Sequence, residues 1–278
     1  KRGDFLRPDL KQGTIAPHTP GIFPPLQNTT QKYDRLDLVD WLFSGSHPIT
    51  ARVAVNKVWM RLLGNPLVDT VQDFGSRGGQ PTHPELLDWM AGWWAGEAQW
   101  SLKRLIKWIV MSDTYRQSSN HRTELKVIDP NNRLLARQNR FRVESEIIRD
   151  ITLQTAGLLS LHLGGPAVIP PIPDSVLNQS FTKYGANSKG RDRYRRGIYT
   201  FFRRTAIDPN MMVFDCPDAS ASKAMRDRSN NALQAMTTLN NEVFLEAAQS
   251  WSAQLLVELP AATDDDRILF AFERALSR

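Results

Sequence analysis

The sequence predicts a mainly α-helical fold: a single helical domain with a small β-ribbon element and an extended Pro-rich N-terminal arm. Three observations carry that expectation. Apolar residues recur at three- and four-residue spacing through most of the chain. Prolines crowd the first 32 residues, at Pro8, Pro17, Pro20, Pro24 and Pro25. Only one stretch, near 165–204, has the β-branched and aromatic content of strands.

The elements follow in order. Proline has no backbone N–H and holds its predecessor extended, so residues 1–32 read as an arm laid across the body, anchored by Ile22, Phe23 and Leu26. The helical body is expected over 33–278. Leu36 to Ser44 is a short helix with Leu38, Val39 and Leu42 inward. Pro48 to Leu63 repeats Ala51, Val55, Val58, Trp59 and Leu62 at helical spacing, with Gly64 placed as a C-cap. Thr82-His83-Pro84-Glu85 has the form of a capping box, opening a helix through Leu87, Trp89, Met90, Trp93 and Trp94. Ser101 opens the next, whose apolar stripe opposes Lys103, Arg104 and Lys107. Further helices are expected over Val143–Leu159 and Ala232–Leu256. A last one, from Asp264, runs to Arg278, so the domain reads as truncated at its C-terminus. Tyr194 to Arg204 is the expected strand, with Arg196, Ile198, Thr200 and Phe202 on one face and Arg195, Tyr199, Phe201 and Arg203 on the other. Val168-Ile169 is its nearest partner.

Charge is concentrated rather than spread. The net charge is +6, and the stretch from Phe181 to Asn210, with eight basic and two acidic residues, holds all of it. The rest is balanced at 27 bases and 27 acids, so a protein that coats DNA over its whole surface is excluded. A hydrophobic content of 41% excludes wholesale disorder. No apolar run is long enough to span a membrane. A single cysteine, Cys216, excludes an internal disulfide framework, a Cys-rich zinc site and an iron–sulfur cluster. The five histidines show no paired metal-ligand spacing, so no metal is expected.

Several polar clusters are candidate sites, each with an ordinary structural alternative. The loop from Asp69 to His83, with Asp73, three glycines and Glu85 just beyond, precedes a helix N-terminus that would suit an anion. Equally, Asp73 caps a turn and His83 pairs with a nearby carbonyl. Arg52 and Asn56 share one helix face and would bind a carboxylate or pin an incoming loop. Tyr115 and Arg116 belong to a polar run, 112–119, that would donate to a sugar or hold a chain reversal. Asp215 and Asp218 would form a carboxylate pair or a Ca²⁺ site, or else salt-bridge to Arg226, Arg228 or the basic segment. Arg196 belongs to that segment, whose Arg-with-aromatic pattern suits a polyanion. Nucleic-acid binding through 183–204 is the weaker alternative, since half of its arginines would point into the body.

The strings "RLDLVDWLFSGSHPITARVAVNKVWMRLLGNPLVDTVQDFG", "GGQPTHPELLDWMA", "WSLKRLIKWIVMSDTYRQSS", "DPNNRLLAR", "ESEIIRD", "YRRGIYTFFRR", "FDCPD" and "ALQAMTTLNN" occur in order. Together they resemble the planctomycete-type domain of unknown function found C-terminal to planctomycete cytochrome c domains in large exported proteins. The resemblance runs from about Arg2 to the C-terminus. It covers Arg52, Asn56, Asp73, His83, Glu85, Tyr115, Arg116, Arg196, Asp215, Asp218 and Arg228. Departures are Ser222, where the family often has Cys, and Ala232, where it often has Pro. The resemblance implies a periplasmic or extracellular setting and other domains of the same polypeptide as partners. Any haem c would lie in one of those domains, since this chain has no CxxCH and no cofactor of its own is expected. It implies no established activity, and no catalytic motif is recognisable. The reading is therefore an interaction or scaffold domain; the alternative is a domain that binds or processes a carbohydrate or acidic polysaccharide.

Overall fold

A computed structural model describes residues 18–26, 33–172, 185–204 and 207–277. Most of the proline-rich arm, Lys183 of the basic segment and Arg278 lie outside the described residues. The fold is mainly helical, as expected, with eleven α-helices among the described residues. The chain divides into two compact units, Lys1–Phe141 and Arg142–Arg278, a boundary the sequence reading did not place.

The N-terminal unit begins with α1, Arg35–Phe43, started by a capping box between Asp34 and Asp37. Its face is not the expected one: Leu38 and Val39 are exposed, and Phe43 instead packs edge-on against Trp100 at 4.8 Å. Of the arm's expected anchors, Phe23 meets Trp41 and His47 at 6.1 and 5.2 Å, while Ile22 is exposed. The Trp41 indole N–H donates to Pro24 O at 2.7 Å.

Helix α2, Thr50–Leu63, is the axis of this unit. It packs on α3, Pro84–Ala95, and α4, Leu102–Val110. Val55, Leu63, Met90, Leu105 and Ile109 are fully enclosed, and each such side chain contributes about 1.5–3 kcal/mol. Gly64 ends α2 at φ +87°, and Phe141 packs where a Cβ would stand. The expected capping box at Thr82 does not form. Thr82 Oγ1 turns instead to Leu67 O and His83 Nδ1, and His83 becomes an N-cap with no side-chain bond. Short helices α5, Asp113–Arg116, and α6, Leu125–Ile128, complete the unit.

The C-terminal unit holds α7, Ser145–Thr155; α8, Pro209–Val213; α9, Ala232–Asn240; α10, Glu242–Glu258; and α11, Asp264–Leu276. The helix expected over 232–256 is broken at Asn241, whose extended backbone ends α9 and whose side chain accepts from Val243 N at 3.0 Å to start α10. The expected β-ribbon is replaced by 3₁₀ turns, Gly190–Tyr194 and Gly197–Tyr199, and two isolated parallel bridges. One of these does pair Val168 with Thr200. Gly197 explains the lost strand. Its backbone lies against α7 so closely that a Cβ would stand 2.5 Å from Glu146 O, and its N–H donates to Asp150 at 2.6 Å. The alternation fails with it: Arg195 and Thr200, assigned opposite faces, are both buried, and Ile198 is exposed.

Candidate functional site

In the N-terminal unit the candidate residues act mainly on backbone. Asn56 is fully buried, and its carboxamide spans the 65–70 loop: Oδ1 accepts from Leu67 N at 2.8 Å and Val68 N at 2.9 Å, while Nδ2 donates to Val68 O at 3.1 Å. Arg52 pairs with Asp88 at 2.6 Å and donates to Pro48 O. That contact holds the Asp88 carboxyl below the ordinary carboxylate range. Asp73 caps its own turn by accepting from Gly75 N at 2.8 Å. Glu85 is exposed in the first turn of α3, where a carboxylate complements the helix dipole. Tyr115 is half-buried against the core, and Arg116 is exposed, its side chain with no partner among the described residues.

The C-terminal candidates behave likewise. Asp215, at φ +63°, accepts from Ser229 N at 2.7 Å and from Ser229 Oγ. Asp218 accepts from Ser220 N and Oγ, which holds its carboxyl below the usual range. Neither pairs with Arg226, which bridges Glu144 and Glu146 at 3.4 and 2.7 Å. Arg196 pairs with Asp150 at 2.9 Å, and Arg228 is exposed on the 226–230 segment. Burial pushes the Cys216 thiol up, away from a reactive thiolate.

The basic segment is largely engaged within its own unit. Arg193 pairs with Glu242 at 2.6 Å and Glu246 at 3.1 Å. Arg195 is 1% exposed and meets no carboxylate among the described residues. Its guanidinium donates to His162 O, Gly164 O and Pro166 O and lies 3.7 Å over the Tyr199 ring. Beneath it, Arg149 donates to Arg193 O and Arg195 O. Asp208, 2% exposed, accepts from Asn210 N and Met211 N; burial raises its carboxyl.

Two surfaces were not singled out by sequence. On α3 and α4, Trp89, Trp93 and Trp108 lie within 6.2 Å of one another, with Trp89 and Trp93 nearly parallel at 7°. Trp89 is 49% exposed. Arg104 lies 5.7 Å over Trp93, and Lys107 stands beside it in an open cleft of about 680 Å³ that reaches Met111. Neither cation has a carboxylate partner among the described residues. The second surface is a polar cleft of about 340 Å³ between the 65–69 and 131–135 loops, with Trp59 in its wall and the Arg133–Asp69 ion pair, 3.1 Å, at its rim.

Among the described residues no group of three or more His, Cys, Asp or Glu could hold a metal ion, and no helix is long and apolar enough to cross a membrane. A family model described as "Protein of unknown function (DUF1553)", PSD1, matches residues 34–278, and the chain belongs to that family. No curated protein and no solved structure matches it.

Proposed function

We propose that this DUF1553-family chain is a scaffold and interaction domain of a larger exported, cytochrome c-linked protein. The observation that supports it is the α3/α4 face. Three indoles there offer a rigid apolar area beside two cations that no carboxylate of the described residues occupies, although Arg104 also donates to Glu97 O at 2.6 Å. Trp and Arg are the side chains that dominate interface energetics, and cations not neutralised by a neighbouring carboxylate steer and register an acidic partner. Several of the polar residues that suggested chemistry, Asn56, Asp73, Asp215 and Asp218, are instead bonded to backbone, where helix ends and loops need partners. The partner is an acidic surface on another domain of the same polypeptide. The same indole-plus-cation pairing favours a second reading, an acidic polysaccharide lying along the face.

Titrating the chain's tryptophan fluorescence separately with the cytochrome c-type domain and with polygalacturonate tests both. Saturable binding that weakens with salt is expected for one of them. Trp89→Ala and Lys107→Glu should each weaken it at least about tenfold. Binding to neither at low salt, or equal binding by both variants, overturns the proposal.

A further inference from the structure

We infer that the polar cleft of the N-terminal unit is a binding site for a neutral sugar. It shares no lining residue with the α3/α4 face, so it is a function beyond the one proposed above.

Both walls are built to hold still. The 65–70 loop is fixed from below by the buried carboxamide of Asn56. The opposite wall starts at Asp129, which accepts from Arg133 N at 2.8 Å and Leu134 N at 2.7 Å. Asn132, 2% exposed and at φ +52°, then donates to Arg137 O and Asn139 Oδ1, both at 2.8 Å. Asn139 in turn donates to Leu63 O at the end of α2, 2.8 Å away. Asn tolerates that left-handed backbone, but Leu135 in the same wall adopts it too, at φ +55°, where a branched apolar residue is kept only if its surroundings fix it. The loop is therefore held in one shape before any ligand arrives, which lowers the entropy lost on binding.

The lining selects the ligand. Asn65 and Asn131 face the cleft, and neither side chain has a partner among the described residues. A carboxamide offers two donors and an acceptor, matching hydroxyls that both give and receive. Asp69 and Arg133 already neutralise each other, and no further charged side chain lines the cleft, so neither an anion nor a cation finds an unopposed charge. An apolar ligand would strip water from the amides without replacing it. The volume lies within the range of small-ligand sites. A polyhydroxylated ring, neutral and rich in paired donors and acceptors, meets all of these conditions.

Saturation-transfer NMR on the whole chain tests this, with glucose, galactose, cellobiose and maltose as probes and galacturonate as the charged comparison. At least one neutral sugar should receive transfer and bind independently of salt. Asn65→Ala and Asn131→Ala should each weaken it about tenfold, because each removes hydrogen bonds made only to the ligand. Neither residue supports a loop, so amide exchange over 63–69 and 129–139 should stay unchanged. No transfer to any neutral sugar, undiminished binding by both variants, or tighter binding of galacturonate than of galactose overturns the assignment. The acidic-partner titrations are a separate measurement, and either can fail alone.

Discussion

The two units solve the same problem, tying irregular chain to helices, with different chemistry. The N-terminal unit has a continuous apolar core running from Val55 through Met90 to Ile109, and its most enclosed ties are neutral amides, Asn56 and Asn132, seconded by Gln117 and Asn139, while Arg52, Arg104 and Arg122 reach carbonyls nearer the surface. Among the described residues the C-terminal unit has fewer enclosed apolar side chains, and guanidinium groups supply most of its ties, from Arg142, Arg149, Arg193, Arg195, Arg196 and Arg226, beside the amides of Gln234 and Gln254. A guanidinium presents five donors in a fixed fork, so one side chain can satisfy several carbonyls of a loop that has little apolar surface to bury. Desolvating that charge opposes folding, and the penalty is offset only while every partner stays in place. An amide-tied unit should therefore respond to cavities, and an arginine-tied unit to charge and pH.

The largest effect expected is Trp59→Ala, which empties the centre of the N-terminal core and should destabilise that unit by about 4 kcal/mol. Hydrogen exchange resolved by unit reads it without assuming one transition. Arg195→Met should follow, at about 3 kcal/mol in the C-terminal unit, because carbonyls of 162, 164 and 166 lose their shared donor. A neutral or stabilising result would reduce Arg195 to a space-filling role and remove half of the contrast. The smallest effects are in the acid titration of the C-terminal unit, and their signs differ. Burial raises Glu146, but the hydrogen bond and charge of Arg226 outweigh it, so its folded pKa is lowered. The Glu146 contribution is present above the unfolded pKa and disappears as pH falls through the folded one. Glu146→Gln should therefore lower stability near neutrality by up to about 1 kcal/mol and have no effect in strong acid. Asp208 is raised, so its contribution is complete below the unfolded pKa and is lost as pH rises through the folded value. Asp208→Asn keeps the oxygen that accepts from Asn210 and Met211. It should raise stability near neutrality and change nothing in acid. Urea unfolding across pH, followed at Trp251, checks both; matching signs would break the distinction.

Which of these features could be read in advance depends on distance along the chain. Helices α2, α3 and α4 were legible because their apolar spacing is local. The helical character of α1 was legible, but its buried face was not, since Trp41 and Phe43 found aromatic partners elsewhere in the unit. The strand at 194–204 failed because aromatic and β-branched content is a weak signal against a glycine that must touch α7. The candidate polar residues were chosen by chemical type, and type does not distinguish a ligand-facing carboxylate from one that caps its own turn, as Asp73 and Asp218 do. Trp89 and Trp93 were visible on the predicted α3, yet nothing local says that Trp89 stays half exposed or that Trp108 of α4 joins them. The sugar cleft was harder still. Asp69 and Arg133 stand 64 residues apart, and only the folded loops bring them together.

The end of α7 bears on how the protein is made. Its last turn is closed from far away: Ser250 Oγ and Gln254 Nε2 donate to Ala156 O at 3.0 and 2.6 Å, across 94 and 98 residues. A ribosome releases residues in order, so that carbonyl has no protein donor from α10 until residue 250 has emerged, and not both donors until residue 254 has. By then Phe141 has long been free to settle against Gly64, and every residue of the first unit is outside the exit tunnel. Synthesis is thus vectorial in a physical sense, with the first unit able to close its core while α7 is still waiting for its cap.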